Sequence, residues 1–324
     1  MSEPSLLYLS RADVESLAIG IGEVIEVVED ALREHGAGAS VMPPKTRLTP
    51  DAKRYYSAMP AVLPTYGVAS VKWNAIFSAN PGRGLPFVVG LIILNDDATG
   101  LPIAVLDSTW DTAWRTAAAS AVSARHLLGR ELSTLGVYGC GVQGRTHAEA
   151  MLAAFPSLRR VRAFDSSPDS LSRYTEDVSE RLGLEVVPCR EPAEVVTGAE
   201  VVVTATPTTV RSEVLEHAWL SPGQLVVSID YDCYWRPGSL NLLDAIFTDD
   251  AAQFEKGHNY GYYPGYTGTP RSLPEVVAGK DPGRESPDQI IATFNAGIAV
   301  EDTATARLIH RRAEEVGKGT RLPL

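Results

Sequence analysis

From about residue 134 onward, short apolar runs alternate with amphipathic ones. "TLGVYGCG" has the length and composition of a strand, and "GRTHAEAMLAAF" behind it those of a helix. "RVRAFDSS" predicts a second strand and "SPDSLSRYTEDVSERLG" the helix after it. "LEVVPCR", a short helical "EPAEVVTGA", "EVVVTATPT", "QLVVSIDYD" and "DAIFTDD" continue the series. Apolar strands alternating with helices fit a parallel sheet with both faces covered, because each crossover lays a helix on the sheet. This half therefore predicts an α/β domain, a Rossmann-type doubly wound parallel sheet.

Before about residue 115 the pattern changes. "LYLSRADVESL" and "IGEVIEVVEDALREHGAG" read as a strand and an amphipathic helix. Four extended segments follow, "KRYYSAMPAVLP", "YGVASVKWNAIF", "LPFVVGLIILND" and "GLPIAVLDST", separated by Gly, Pro and Asp turns. They predict an antiparallel or mixed sheet in an α+β domain. "TAWRTAAASAVSARHLLG", rich in small helix formers, carries the chain into the alternating half. After about residue 285, "SPDQIIATFNAGIAVEDTATARLIHRRAEEVG" reads as helix that returns to the first domain, making it discontinuous. The expected division is 1–117, completed by about 298–324, for the first domain, and 118–297 for the second.

Composition narrows the function classes. The 324 residues suit two domains, and a net charge of -11 disfavours nucleic acid or an anionic membrane as partner. No apolar run reaches the roughly 18 residues of a membrane span. "MSEPSLLYLSRADV" lacks the basic start and long apolar stretch of a signal peptide, so a cytoplasmic protein is expected. Cys140, Cys189 and Cys233 stand far apart without CxxC spacing, which predicts buried free thiols and no metal site.

The loop between the first strand and helix of the alternating half reads Gly139-x-Gly141-x-x-Gly144. The first glycine permits a tight turn, the second lets backbone approach a pyrophosphate, and the third allows close helix–strand packing. The spacing alone is weak, but here it follows a strand, opens a helix and precedes an acid, Asp165, at the end of the next strand. That acid suits a ribose 2′-hydroxyl and repels a 2′-phosphate. The residues directly after it, Ser166 to Ser170, include no arginine to offset it, so NAD is expected over NADP.

The stretch "SVKWNAIFSANPGRGLPFVVGLIILNDDATGLPIAVLDSTWDTAWRTAAASAVSARHLL", with "LGVYGCGVQGRTHAEAM", "TATPT", "SPGQLVVSIDYD" and "FNAGIAVEDTATA", resembles the ornithine cyclodeaminase/mu-crystallin family. The resemblance implies a nicotinamide cofactor working on the α-carbon of an amino or imino acid, and a homodimer built on the first domain. By position it implies Lys72 and Asp232 as catalytic residues. It assigns Arg115 and Thr116 to cofactor phosphate, and the cofactor set extends over Gly139, Gly141, Val142, Gln143, Gly144, Asp165, Ser166, Thr204, Ala205 and Thr206. Substrate-side residues are Lys45 or Arg47, with Arg47 favoured for its bidentate geometry, together with Ser57 and Met59. By itself "SVKWN" fits an exposed edge-strand lysine as well as a base, and "DYDCYWRPG" fits a turn aspartate.

The chemistry stands beside the resemblance. Hydride removal from an amino-acid α-carbon leaves an iminium, so the amine must first lose a proton, which a lysine made less basic by burial can take. A carboxylate stabilises the developing positive charge, and a guanidinium orients the substrate carboxylate. The leading expectation is an NAD(H)-dependent amino-acid dehydrogenase or imine reductase. A cyclodeaminase of ornithine or lysine with internal hydride recycling is the alternative, and a non-catalytic nicotinamide-binding protein a second. Cyclodeaminases of the family carry a glutamate where this chain has Ser57, and Asn295 replaces an aspartate common in the family; both are departures. "FEKGHNYGYYPGYTGTP", residues 254–270, reads as too glycine-rich for a helix or regular strand, and as either a packed surface loop or a substrate-side lid.

Overall fold

The structure, a computed structural model describing residues 4–324, contains two units, one of them discontinuous in sequence. The first holds β1 (Ser5–Leu9), α1 (Arg11–Ser16), α2 (Ile21–Ala37), β2 (Thr46–Asp51), β3 (Arg54–Leu63), β4 (Val68–Phe77), β5 (Val88–Asp96), β6 (Pro102–Asp107) and the start of helix α3 (Ser108–Leu127). The division falls within α3, between Arg115 and Thr116. The second unit runs through β7 (Thr134–Tyr138), α4 (Val142–Ala154), β8 (Arg160–Phe164), α5 (Pro168–Leu182), β9 (Glu185–Pro188), β10 (Val201–Thr204) and β11 (Leu225–Ser228). It continues with β12 (Ala245–Thr248), α6 (Ala251–His258), β13 (Arg271–Ser272), α7 (Leu273–Val277) and β14 (Ile291–Phe294). At Ile298 the chain returns to the first unit for α8 (Ala299–Val316) and β15 (Thr320–Pro323).

In the first unit the strand order is β15-β1-β6-β5-β4-β3-β2, with β1 and β6 parallel and every other neighbour antiparallel. Period-two alternation gives this sheet its two faces. Tyr55, Ser57, Met59, Ala61 and Leu63 of β3 are buried, as are Val68, Ser70, Lys72, Asn74 and Ile76 of β4. Helix α8 packs on this inward face across β3, β4 and β5, and α2 packs against α8. The buried stripe Ile21, Val24, Ile25, Val28, Ala31 and Leu32 recurs at helical spacing, so one face of α2 is apolar throughout. Burying each of its large aliphatic side chains contributes about 2 kcal/mol, which is how a 17-residue helix is held here.

The second sheet has the order β13-β12-β14-β11-β10-β7-β8-β9, every pairing parallel. All residues of β10, β11 and β14 are buried, as expected where helices and loops cover both faces. Strand order reverses between β7 and β10, the point at which doubly wound sheets open a crevice beyond their strand ends.

Three local expectations are corrected, and two elements are new. The stretch after residue 285 is not one helix: β14 lies between β11 and β12, and Gly297 (φ 81°) breaks the chain before α8 starts at Ala299. "EPAEVVTGA" forms only a 3-10 turn at Pro192–Glu194. The glycine- and tyrosine-rich segment starts in helix, because Asp250 caps α6 by accepting the Gln253 N–H at 2.6 Å and Phe254 is buried. The short helix α1 and strand β2, the latter carrying Arg47, are not legible in the pattern of apolar positions.

Candidate active site

In the second unit, the loops after β7 and β10 lie side by side. A Cβ on Gly139 (φ 95°) would sit 2.4 Å from the Ala205 carbonyl oxygen, and one on Gly144 would sit 2.2 Å from the Gly139 carbonyl oxygen. These two glycines let the loops and the start of α4 close together. Gly141 faces open space, with no atom within 4 Å of where its Cβ would be. It is also the N-cap of α4 and provides no side-chain cap, so the N–H groups of Val142, Gln143 and Gly144 begin the helix at its positive end. This cradle fits the diphosphate of a dinucleotide. Asp165, just past β8, is half-buried and accepts the Cys140 and Ser167 N–H groups at 2.8 Å each. Each oxygen keeps a lone pair for a ribose hydroxyl. Ser166 beside it is exposed.

Asp230, which no motif marks, anchors the same region. Its fully buried carboxylate accepts the Thr204 hydroxyl at 2.6 Å and the Thr206 hydroxyl and N–H at 2.6 and 3.1 Å. Burial outweighs these bonds and pushes the carboxyl up to about 6. The signal available in the sequence is the pair of acids, two residues apart, directly after an apolar strand.

In the first unit, antiparallel register places the expected substrate-side residues on one face. Arg47 lies opposite Ser57, and Met59 opposite Lys72, so all four share the inward face of the sheet. The Arg47 guanidinium stands 3.5 Å from the centre of the Tyr55 ring, and half-buried Lys45 immediately precedes β2. Lys72 is completely buried, not an exposed edge charge. Its Nζ donates to Asp302 Oδ1 of α8 and to Thr112 Oγ1 at 3.3 Å, with Asp111 Oδ2 at 3.7 Å. Burial, reinforced by Arg115, pulls Lys72 below its ordinary range, against the pull of Asp302 and Asp111. Arg115, assigned by resemblance to cofactor phosphate, has Nε on Asp302 at 2.7 Å and Nη1 on Glu301 at 3.1 Å. Thr116 is buried beside it. The acids of α8 that hold both cations escape a reading of the sequence, although they stand in "GIAVEDTATA", because nothing local marks "ED" as facing a strand lysine.

Asp232, in the second unit, is buried and held by a residue that no motif singles out. Arg211 donates to both its oxygens, at 3.2 and 2.8 Å. Asp232 follows Tyr231, whose φ of 59° marks a left-handed turn. The tyrosine segment packs against this turn: Tyr262 stacks on Tyr231 at 4.0 Å and Tyr263 on Phe254 at 3.8 Å, both tyrosines buried. Those two side chains belong to the core rather than to a lid. Cys140, Cys189 and Cys233 are buried thiols outside any disulfide, and among the described residues no helix is long and apolar enough to cross a membrane.

The profile of the ornithine cyclodeaminase/mu-crystallin family matches residues 6–317. The chain is 34% identical to nodulation efficiency protein NfeD of Rhizobium meliloti, over 97% of both sequences. Among solved structures it is similar to an archaeal alanine dehydrogenase dimer with bound NAD, with a TM-score of 0.89, 30% identity, and coverage of 99% of this chain and all of that one (100%). It is also similar to the Delta(1)-pyrroline-2-carboxylate reductase of Thermococcus litoralis in complex with NADH and L-proline, with a TM-score of 0.87, 28% identity, and coverage of 97% and 99%.

Proposed function

The chain belongs to the ornithine cyclodeaminase/mu-crystallin family, and we propose that it is an NAD(H)-dependent oxidoreductase acting at the α-carbon of an amino acid or its imine. The observation that carries this reading is Lys72, a completely buried lysine held by carboxylates and less basic than usual, in a chain that also carries a diphosphate cradle. The cradle residues Gly139, Gly141, Val142, Gln143 and Gly144 would hold the dinucleotide with Thr116, Ser166, Thr204, Ala205 and Thr206, and Asp165 its ribose. When bound, the nicotinamide supplies or accepts the hydride.

The remaining steps fall to the protein. Lys72 takes the amine proton in oxidation, or returns it in reduction, at Nζ. Asp302 orients that Nζ, and Arg115 fixes Asp302 from its other side. Arg47, with Lys45 near it, holds the substrate carboxylate, and Met59 lines the approach. Asp232 stabilises the positive charge of the iminium. Ser57 is buried opposite Arg47 and Asn74; an uncharged group there supports net redox chemistry over ring closure, which needs an acid for the distal amine. The NAD-bound dimer of the archaeal alanine dehydrogenase supports NAD and a homodimer as the finer reading. The test is Lys72→Ala: turnover of an amino acid, or of an oxo-acid plus amine, followed through NADH should vanish while NADH affinity stays within a few-fold. An equal loss of NADH binding would show that Lys72 serves the cofactor instead.

A further inference from the structure

Helix α3 carries an acid that the chemistry above does not use. Asp111 lies one turn before Arg115, completely buried, with Oδ2 at 3.7 Å from Lys72 Nζ. Neither of its oxygens meets an N–H or O–H donor. Asp302 is half in the same condition, because Oδ1 receives Lys72 and Arg115 while Oδ2 has no donor. The two carboxyl groups meet each other. Two ionised carboxylates in contact away from water repel, whereas one proton between them satisfies an orphaned oxygen on each and removes a buried charge. The charge balance agrees. Lys72 of β4 and Arg115 of α3 face Asp111 of α3 and Glu301 and Asp302 of α8, so protonating one of the three acids leaves two charges of each sign.

We propose that Asp111 is a positioning residue that donates a retained proton to Asp302, so that Asp302 presents one fixed charge to Lys72 and Arg115. Burial, followed by the neighbouring Asp302 carboxylate, pushes Asp111 well above the usual carboxylate range, in keeping with that state. The role served is the oxidoreductase reading given above, but the proton itself can be observed without any turnover. The infrared difference spectrum between the unmodified protein and Asp111→Asn at neutral pH should contain the C=O band of a protonated carboxylic acid, lost in the variant. Absence of that band overturns the proposal, whatever reaction the protein catalyses.

Kinetics then test the role. Asparagine is a neutral donor of the same shape, so Asp111→Asn should leave the acid limb of the kcat/KM–pH profile where it stands in the unmodified protein. Were Asp111 ionised, the same change would strip a negative charge from beside Lys72 and move that limb down by about one pH unit or more, which also overturns the proposal. Asp111→Ala, lacking the donor, should lower kcat/KM at least about tenfold with NADH affinity unchanged. Equal behaviour of the alanine and asparagine variants would exclude a positioning role. If the alanine variant does not fold, the asparagine profile and the infrared band decide.

Discussion

On the function proposed above, the choice of dinucleotide falls to a single carboxylate. Asp165 is fixed by two backbone N–H groups, so it cannot swing away from a 2′-phosphate without abandoning both. NADH should therefore bind at least about tenfold more tightly than NADPH, roughly 1.4 kcal/mol, and Asp165→Ser should narrow or reverse the gap. Fluorescence titration with both cofactors checks this, and tighter NADPH binding by the unmodified protein would refute it. Asp165, Lys72 and the three glycines are legible in the sequence because spacing or resemblance marks them. Asp230, Asp302 and Arg211 are not, since each acquires its meaning from a partner distant in sequence.

Single elements depend on buried polar side chains as much as on apolar ones. His147 of α4 is completely buried between the Gln143 carbonyl, 2.7 Å from Nδ1, and the Ser120 hydroxyl, 2.9 Å from Nε2. A carbonyl can only accept, so Nδ1 carries the proton and Nε2 accepts from Ser120. Burial drops this imidazole to about 4 from its ordinary 6.5. The unfolded chain is thus protonated first as pH falls: the stabilising contribution is complete above the ordinary value and is lost on approach to about pH 4. The loss is about 3 kcal/mol. Urea unfolding of the unmodified protein and of His147→Gln should show their stability difference shrinking by that order between neutral pH and pH 4; parallel curves would contradict it. Element type is legible wherever period or length is decisive, as in α2 and β3. It fails at "IIATF", where a short, fully buried strand and a buried helical turn show the same unbroken apolar run. The mark of the break is Gly297, three residues beyond β14.

The whole molecule has an apolar surface to account for. On the outward face of the first sheet, Trp73, Leu91 and Ile93 are 46%, 45% and 40% exposed, with Trp73 opposite Leu91 in register and stacked on Tyr56. Contiguous exposed patches of this kind are rare on soluble monomers, and a two-fold copy of the same sheet is the simplest closed cover. Light scattering should give about twice 34.8 kDa, and Trp73→Asp should reduce it towards the monomer; a monomer mass for the unmodified protein at micromolar concentration would end the dimer reading. Ile92, between Leu91 and Ile93, is completely buried on the inward face opposite Lys72, so a charge there would disrupt the fold itself. The discontinuity of the first unit has a consequence for synthesis. Lys72 and Arg115 leave the ribosome long before Asp302 and Glu301, with the entire second unit between them. During translation the nascent β4 therefore carries its lysine without its α8 acids, while the second unit, contiguous in sequence, can close its sheet first. The late arrival of α8 completes both the core and the charge pairing of the first unit in one step.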